Sequence, residues 1–325
     1  GQEQKESHEI KINNDKGITV ERINDQSFSI TLPDGSKSVY EISDSGESVL
    51  ISKSDNSKDL IISNFSLGLV LFTILLQFLM AFDDLRGLKA VTRLFIQAGC
   101  TGGLIFFSGV YIQSLGNLLG LGEIYLGFWG IPFTIFCVVG MINAFNMIDG
   151  LNGLCASLCL VCFIGIIFMI NADTVPSLFP LILPVGAIMG FLMYNLGVLG
   201  NQRTVFLGDN GSNALGFMCA WILVYFSSVE NSNFAPVTAL WFVAIPFFDA
   251  VSVMASRAIK GIMPLRPGRD HLHHKLLDIG LSSNAIYMAL IFASALFAAI
   301  GYIFNYSFPG NHYISFYTFL ILFLY

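Results

Sequence analysis

Four short polar stretches interrupt an otherwise strongly apolar sequence, and each holds side chains able to handle phosphate or a hard cation. Phe82-Asp83-Asp84-Leu85-Arg86 sets adjacent carboxylates at the end of an apolar run. Two such charges raise each other's proton affinity and favour either a shared proton or a divalent ion; a solvated helix end is the plainer alternative. In the stretch from Asn143 to Leu154 a polar side chain returns every third residue, at Asn143, Asn146 and Asp149. On a helical terminus that spacing puts two amides and a carboxylate nearly in line, facing one spot. Gly150 and Gly153 are then expected to let backbone approach a ligand closely.

The third stretch, Val205-Phe206-Leu207-Gly208-Asp209-Asn210-Gly211-Ser212, opens an apolar run. Glycine-rich backbone at a helix N-terminus offers free N–H groups to an anion, and Asp209 offers a hard oxygen to Mg2+. Alone, this pattern also reads as a turn. The fourth stretch, Pro264 to Lys275, carries Arg266, Arg269, His271, His273 and His274. Such a donor-rich loop suits a diphosphate, since arginine pairs bidentately with phosphate oxygens and histidine donates near neutral pH. Zinc is the competing reading, without a matched Cys or Glu partner at suitable spacing; a solvated basic loop is the third.

The elements that must position these groups are membrane helices. The chain has 325 residues, 54% hydrophobic and 12% charged, with a mean hydropathy of +0.70. Those values argue against an ordinary soluble domain, and 30 phenylalanines exclude a basic nucleic-acid binder or an acidic disordered tail. Apolar stretches recur at about residues 65–82, 91–112, 126–145, 152–170, 177–198, 212–228, 237–256, 286–305 and 313–325, which predicts nine spans. All 9 Lys and Arg after residue 62 fall on alternate connections, with Arg86, Arg93, Arg203 and Arg269 on one side. The positive-inside rule makes that side cytoplasmic. The acids Asp83, Asp84, Asp149, Asp209, Asp270 and Asp278 gather there too, with Asp249 a few turns inside the seventh run. An ionisable group in the bilayer costs about 2.5–3.5 kcal/mol on insertion scales, so the clustering calls for a function. A transporter would instead carry its carboxylates along span centres. All six cysteines lie in apolar segments, so neither a disulfide framework nor a zinc site is expected, and Cys155, Cys159 and Cys162 read as packing on one helix.

Residues 1–62 differ, with 7 Lys or Arg against 12 Asp or Glu and period-two alternation at Phe28-Ser29-Ile30-Thr31-Leu32 and Val39-Tyr40-Glu41-Ile42 around Pro33-Asp34-Gly35. This predicts a small β-meander with no catalytic constellation, a cap or partner-facing module. With the first span running toward Arg86, the module is expected outside. The predicted fold is therefore an all-α polytopic membrane protein, residues 63–325, preceded by a β-rich extramembrane module, residues 1–62.

Asn-Ala-Phe-Asn-Met-Ile-Asp-Gly, Phe-Leu-Gly-Asp-Asn-Gly-Ser and Arg-Asp-His-Leu-His-His, in that order, make about residues 65–325 resemble the polyprenyl-phosphate N-acetylhexosamine-1-phosphate transferases. The resemblance implies Mg2+-dependent transfer of N-acetylglucosamine 1-phosphate from UDP-N-acetylglucosamine to undecaprenyl phosphate at the cytoplasmic face of a bacterial inner membrane, with release of UMP. It implies that Asp83 and Asp84 lie near the lipid phosphate, with Asp83 as base or covalent nucleophile. Asp149 joins them as catalytic, and Asp209 with Asn146 holds the metal. Asn143, Asn146, Arg269, His271, His273 and His274 bind the sugar nucleotide. A second copy of the chain is a candidate partner; nucleic acid is not. Members of the family carry two further N-terminal spans, so Gly1–Ile62 is expected to be an enlarged external loop that followed them in a longer chain. Transfer from UDP-MurNAc-pentapeptide is the alternative within the family, with a differently written histidine loop. An inactive scaffold is the alternative outside it.

Overall fold

The computed structural model describes residues 12–13, 19–22, 27–31, 37–42, 48–54, 56–170, 179–200, 202, 204–228, 234–263 and 268–325. By backbone contacts the chain forms two compact units, Gly1–Asn64 and Phe65–Tyr325. In the first, strands β1 (Ile12–Asn13), β2 (Thr19–Arg22), β3 (Ser27–Thr31), β4 (Lys37–Ile42) and β5 (Ser48–Ser54) pair antiparallel in sequence order. The β3–β4 register sets Phe28 opposite Tyr40 and Ile30 opposite Ser38. The predicted hairpin turn, Pro33-Asp34-Gly35, lies outside the described residues.

The second unit is helical: α1 (Asn56–Arg86, entering it at Phe65), α2 (Ala90–Ser108), α3 (Gly130–Ile148, after a 3-10 turn), α4 (Leu154–Met169), α5 (Phe179–Asn195), α6 (Gly208–Ser228), α7 (Pro236–Phe242), α8 (Ala244–Ile259), α9 (Leu272–Asp278), α10 (Ser283–Ser307) and α11 (His312–Leu324). Phe106, Phe136, Phe168 and Phe292 stand well exposed on four of them. Apolar outer faces of this kind suit hydrocarbon as solvent.

The predicted nine spans are not what the helices provide. Among the described residues four are long and apolar enough to cross a bilayer, Asn64–Asp83, Ala90–Ser108, Gly127–Ile148 and Ser283–Ser307, and a bent pair makes a fifth. The physical reason is length: α4, with 16 residues, rises about 24 Å, short of a hydrocarbon core about 30 Å thick. Helix α6 is longer, but it opens on Gly-Asp-Asn-Gly-Ser-Asn. The predicted run 237–256 is also broken. Helices α7 and α8 meet at 87° around Val243, because Pro246 has no N–H to give the carbonyl of Phe242 and its ring crowds that turn.

Close antiparallel packing of α3 on α6 sets the register of the unit. Gly216 makes it possible: a methyl there would lie 2.9 Å from Cα of Ile142. One turn away on each helix, toward the polar end, are Ser212 and Asn146, and the amide of Asn146 donates to Ser212 Oγ at 2.9 Å. At that same end lie the C-terminal ends of α1, α3, α5 and α8 and the N-terminal ends of α2, α4, α6 and α10. Ion pairs and hydrogen bonds join the first three polar stretches there, and the fourth meets the second by packing of His273 against Gly150.

Candidate active site

Asp83, near the end of α1, is 3% exposed. Its Oδ1 accepts from the Leu88 N–H at 2.6 Å, and its Oδ2 pairs with Arg93 Nε at 2.6 Å. Helix α2 delivers Arg93 one turn in, where Nη1 also reaches 3.8 Å from Asp209 Oδ2. Arg93 thus joins the first motif to the third. The side chain of Asp84 lies outside the described residues.

The three in-line polar groups of α3 divide. The Asn143 amide is used inside the bundle, donating to Gln97 Oε1 at 2.8 Å and to the Val139 carbonyl at 2.7 Å. Gln97 donates in turn to Asn213, and Asn213 to the backbone carbonyl of Asp209, at 2.9 and 2.6 Å. This relay ties α2, α3 and α6 together and holds the turn that carries Asp209. Asn146 sits one turn beyond, on Ser212, and Asp149 caps the helix.

Asp149 and Asp209 line one cleft of about 340 Å³, walled by the α3–α4 turn, Asn195 at the end of α5 and Phe206–Gly208. Asn195 secures that wall by donating to the Val205 carbonyl at 2.7 Å. A neighbouring hollow of about 830 Å³ shares Gly150, Leu151, Asn152 and Asn195 and extends to Ser283 and Tyr287 of α10. Burial first, and then the charge of Asp209, push the Asp149 carboxyl up to about 7. Two carboxylates share this cleft, and Arg93 is the one basic side chain paired with either of them among the described residues. Such a donor set suits a hard cation that retains waters and takes phosphate oxygens. Among the described residues no cluster of three acidic, histidine or cysteine side chains forms a closed metal cage.

The glycines of the second motif do something other than expected. A methyl on Gly150 would lie 2.0 Å from His273 Nε2, so this glycine seats an imidazole. Gly153 adopts φ +78 and faces Leu196 at 2.5 Å from its would-be Cβ. His273 is 1% exposed, and neither ring nitrogen has a hydrogen-bond partner among the described residues. Burial, then the neighbouring His274, lower its pKa to about 4, so it is a neutral ring at pH 7. His271 lies parallel to it, ring centroids 6.0 Å apart, and His274 packs at 4.1 Å. Arg269 is exposed, and Arg266 lies outside the described residues. Asp270 pairs with Arg257 at 3.1 Å, which draws its carboxyl below the usual range.

Sequence reasoning does not single out Arg93, Gln97, Asn213 or Arg257 as site residues. Gln97 and Asn213 carry a signal, each an amide within a predicted apolar run. Arg93 reads from the sequence only as a marker of sidedness.

The sequence profile of glycosyl transferase family 4 matches residues 66–227. The undecaprenyl-phosphate alpha-N-acetylglucosaminyl 1-phosphate transferase of Escherichia coli strain K12 is 38% identical over 251 residues, 77% of this chain and 67% of its own length. The enzyme of the same name from Salmonella typhimurium is 34% identical over 268 residues, covering 82% and 71%. That from Haemophilus influenzae is 36% identical over 246 residues, covering 74% and 68%.

Proposed function

The chain belongs to glycosyl transferase family 4, as a membrane protein related to polyprenyl-phosphate sugar-1-phosphate transferases, and from that premise we propose that it moves N-acetylglucosamine 1-phosphate from UDP-N-acetylglucosamine to undecaprenyl phosphate, releasing UMP, at the cytoplasmic face of a bacterial inner membrane. One observation carries the reading: Asp149 and Asp209 meet across a single cleft, with Arg93 and the histidine loop at its margins. A lipid phosphate oxygen attacks the β-phosphorus of the sugar nucleotide, and the bond from that phosphorus to the bridging oxygen breaks with UMP as leaving group. Both partners are anions, so the barrier is mainly one of charge and alignment.

Asp149 and Asp209, with Asn146 beside them, fit Mg2+; when bound, the ion supplies charge neutralisation for the diphosphate. A phosphate monoester has a second pKa of about 6 and is mostly dianionic at pH 7, so the attack needs no strong base. Both oxygens of Asp83 are already engaged, by the Leu88 N–H and Arg93. This favours Asp83 as the group that aims Arg93 at the lipid phosphate over Asp83 as a covalent nucleophile. The N-terminal turn of α6 and the loop of Arg269, His271, His273 and His274 hold the diphosphate.

The test is UMP release from purified protein. Release is expected when UDP-N-acetylglucosamine, undecaprenyl phosphate and Mg2+ are all supplied, and to stop when any is withheld. Release from UDP-MurNAc-pentapeptide and not from UDP-N-acetylglucosamine would overturn the substrate assignment.

A further inference from the structure

Helix α8 carries two buried ionic side chains two turns apart, and both grip the same short stretch of chain. Asp249 is 6% exposed; its Oδ2 lies 2.8 Å from His271 Nδ1, and its Oδ1 accepts from the Leu272 N–H at 2.7 Å. Arg257, 3% exposed, pairs with Asp270 and packs beside Gly268, whose would-be Cβ falls 2.7 Å from its Nη2. The histidine loop is therefore held from α8 at residues 268–272, just before His273, which packs behind Gly150 of the cleft wall.

A carboxylate is buried in a helix bundle only at a cost, and the cost is met when each oxygen finds a donor. Asp249 meets that condition with the loop alone. It also does for α9 what a cap would: His271 occupies the N-cap position without a side-chain cap of its own, and Asp249 accepts the first N–H. Because a carboxylate accepts, the proton between the two groups sits on His271 Nδ1, and the ring keeps Nε2 as its other polar edge. His271 stacks parallel to His273, and His273 fills the space over Gly150 in the cleft wall. A continuous line of contacts runs from Asp249 through His271 and His273 to the cleft.

We propose that Asp249 is a positioning residue for this loop: it fixes the tautomer and placement of His271, and through His271 the ring of His273 that backs Gly150 in the wall of the cleft. The inference rests on the reading above that the loop holds the diphosphate. Nothing in the sequence pairs an acid within an apolar run with a histidine 22 residues later.

The test uses the full chain in nanodiscs, labelled with 15N-histidine. Asp249→Asn keeps an oxygen for the Leu272 N–H but turns an amide donor toward Nδ1, so the ring must move its proton to Nε2. Wild type is expected to show one histidine with protonated Nδ1 that Asp249→Asn loses, with the melting temperature nearly unchanged. KM for UDP-N-acetylglucosamine should rise by about tenfold, the lower end of the loss seen when the partner that orients a metal-ligating histidine is removed, while KM for undecaprenyl phosphate holds. A lost signal with unchanged kinetics would overturn the positioning role, and a wild type lacking the Nδ1 signature would overturn the tautomer assignment. If Asp249→Asn does not fold, His271→Gln, which leaves Asp249 its Leu272 donor, should raise the same KM alone; an unchanged KM refutes the role. A wild type that releases no UMP defeats the transferase reading instead, and the resonance comparison still decides whether Asp249 sets His271.

Discussion

Replacing Gly150 by alanine tests the packing on which the histidine loop depends. Gly150 is not among the glycines with positive φ, so alanine is allowed by its backbone and the penalty is steric alone. The added methyl would fall 2.0 Å from His273 Nε2 and 2.7 Å from two ring carbons, where ordinary contact begins at 3.4 Å. The ring must therefore retreat by about 1.4 Å. It is 1% exposed and already packs on His274 at 4.1 Å, so it has nowhere to retreat without moving the loop. Overpacking of this kind costs about 1–3 kcal/mol. Thermal unfolding of the purified protein and KM for UDP-N-acetylglucosamine are the two readouts, and both should worsen in Gly150→Ala. Adding His273→Ala makes room for the methyl, so the double variant should recover much of the stability lost in Gly150→Ala, with a coupling of about 1–3 kcal/mol. Gly140→Ala, whose new methyl meets nothing within 4 Å, is the control and should be neutral or stabilising by up to about 1 kcal/mol. Wild-type melting and KM in Gly150→Ala, or strict additivity in the double variant, would refute the reasoning.

Asp209→Asn should remove most UMP release and flatten its dependence on Mg2+ while the protein still inserts; near-normal activity across a Mg2+ titration would remove Asp209 from the metal site. For Asp149 the folded carboxyl lies at about 7 against 3.8 when free, so the folded state holds a proton that the unfolded chain gives up. The stability difference between metal-free wild type and Asp149→Asn should therefore fall as pH rises from about 4 through about 7, and a rise over that window, followed by thermal unfolding, would contradict it. Sidedness is checked with cysteines at opposite ends of the helices. Leu121→Cys, at a residue 91% exposed, should react with a membrane-impermeant thiol reagent on intact cells and Ser282→Cys should not; equal labelling would break the assignment of the cleft to the cytoplasm.

Part of the candidate site is legible in the sequence, because polar groups in apolar segments are costly and therefore informative. Asn146, Asp149 and Asp209 stand out for that reason; Asp149 and Asp209 line one cleft, and Asn146 bonds to Ser212. Asn143 fits the same periodicity and yet is paired with Gln97, 46 residues earlier. Spacing on one helix reports a shared face but not what that face meets. The β-meander is visible in alternation, since a two-residue period needs only local sequence.

Hydropathy determined that this chain belongs in a bilayer and where its polar side chains are concentrated, because both follow from side-chain composition along short windows. It did not determine how many helices cross. That depends on where helices break, and Pro246 bends a run that reads as continuous. Nor could it pair Asp83 with Arg93, Asp249 with His271, or His273 with Gly150. Those contacts join different helices and loops. They exist only once close approaches such as Gly216 on Ile142 have set the register of one helix against another, so the tertiary structure alone decided them.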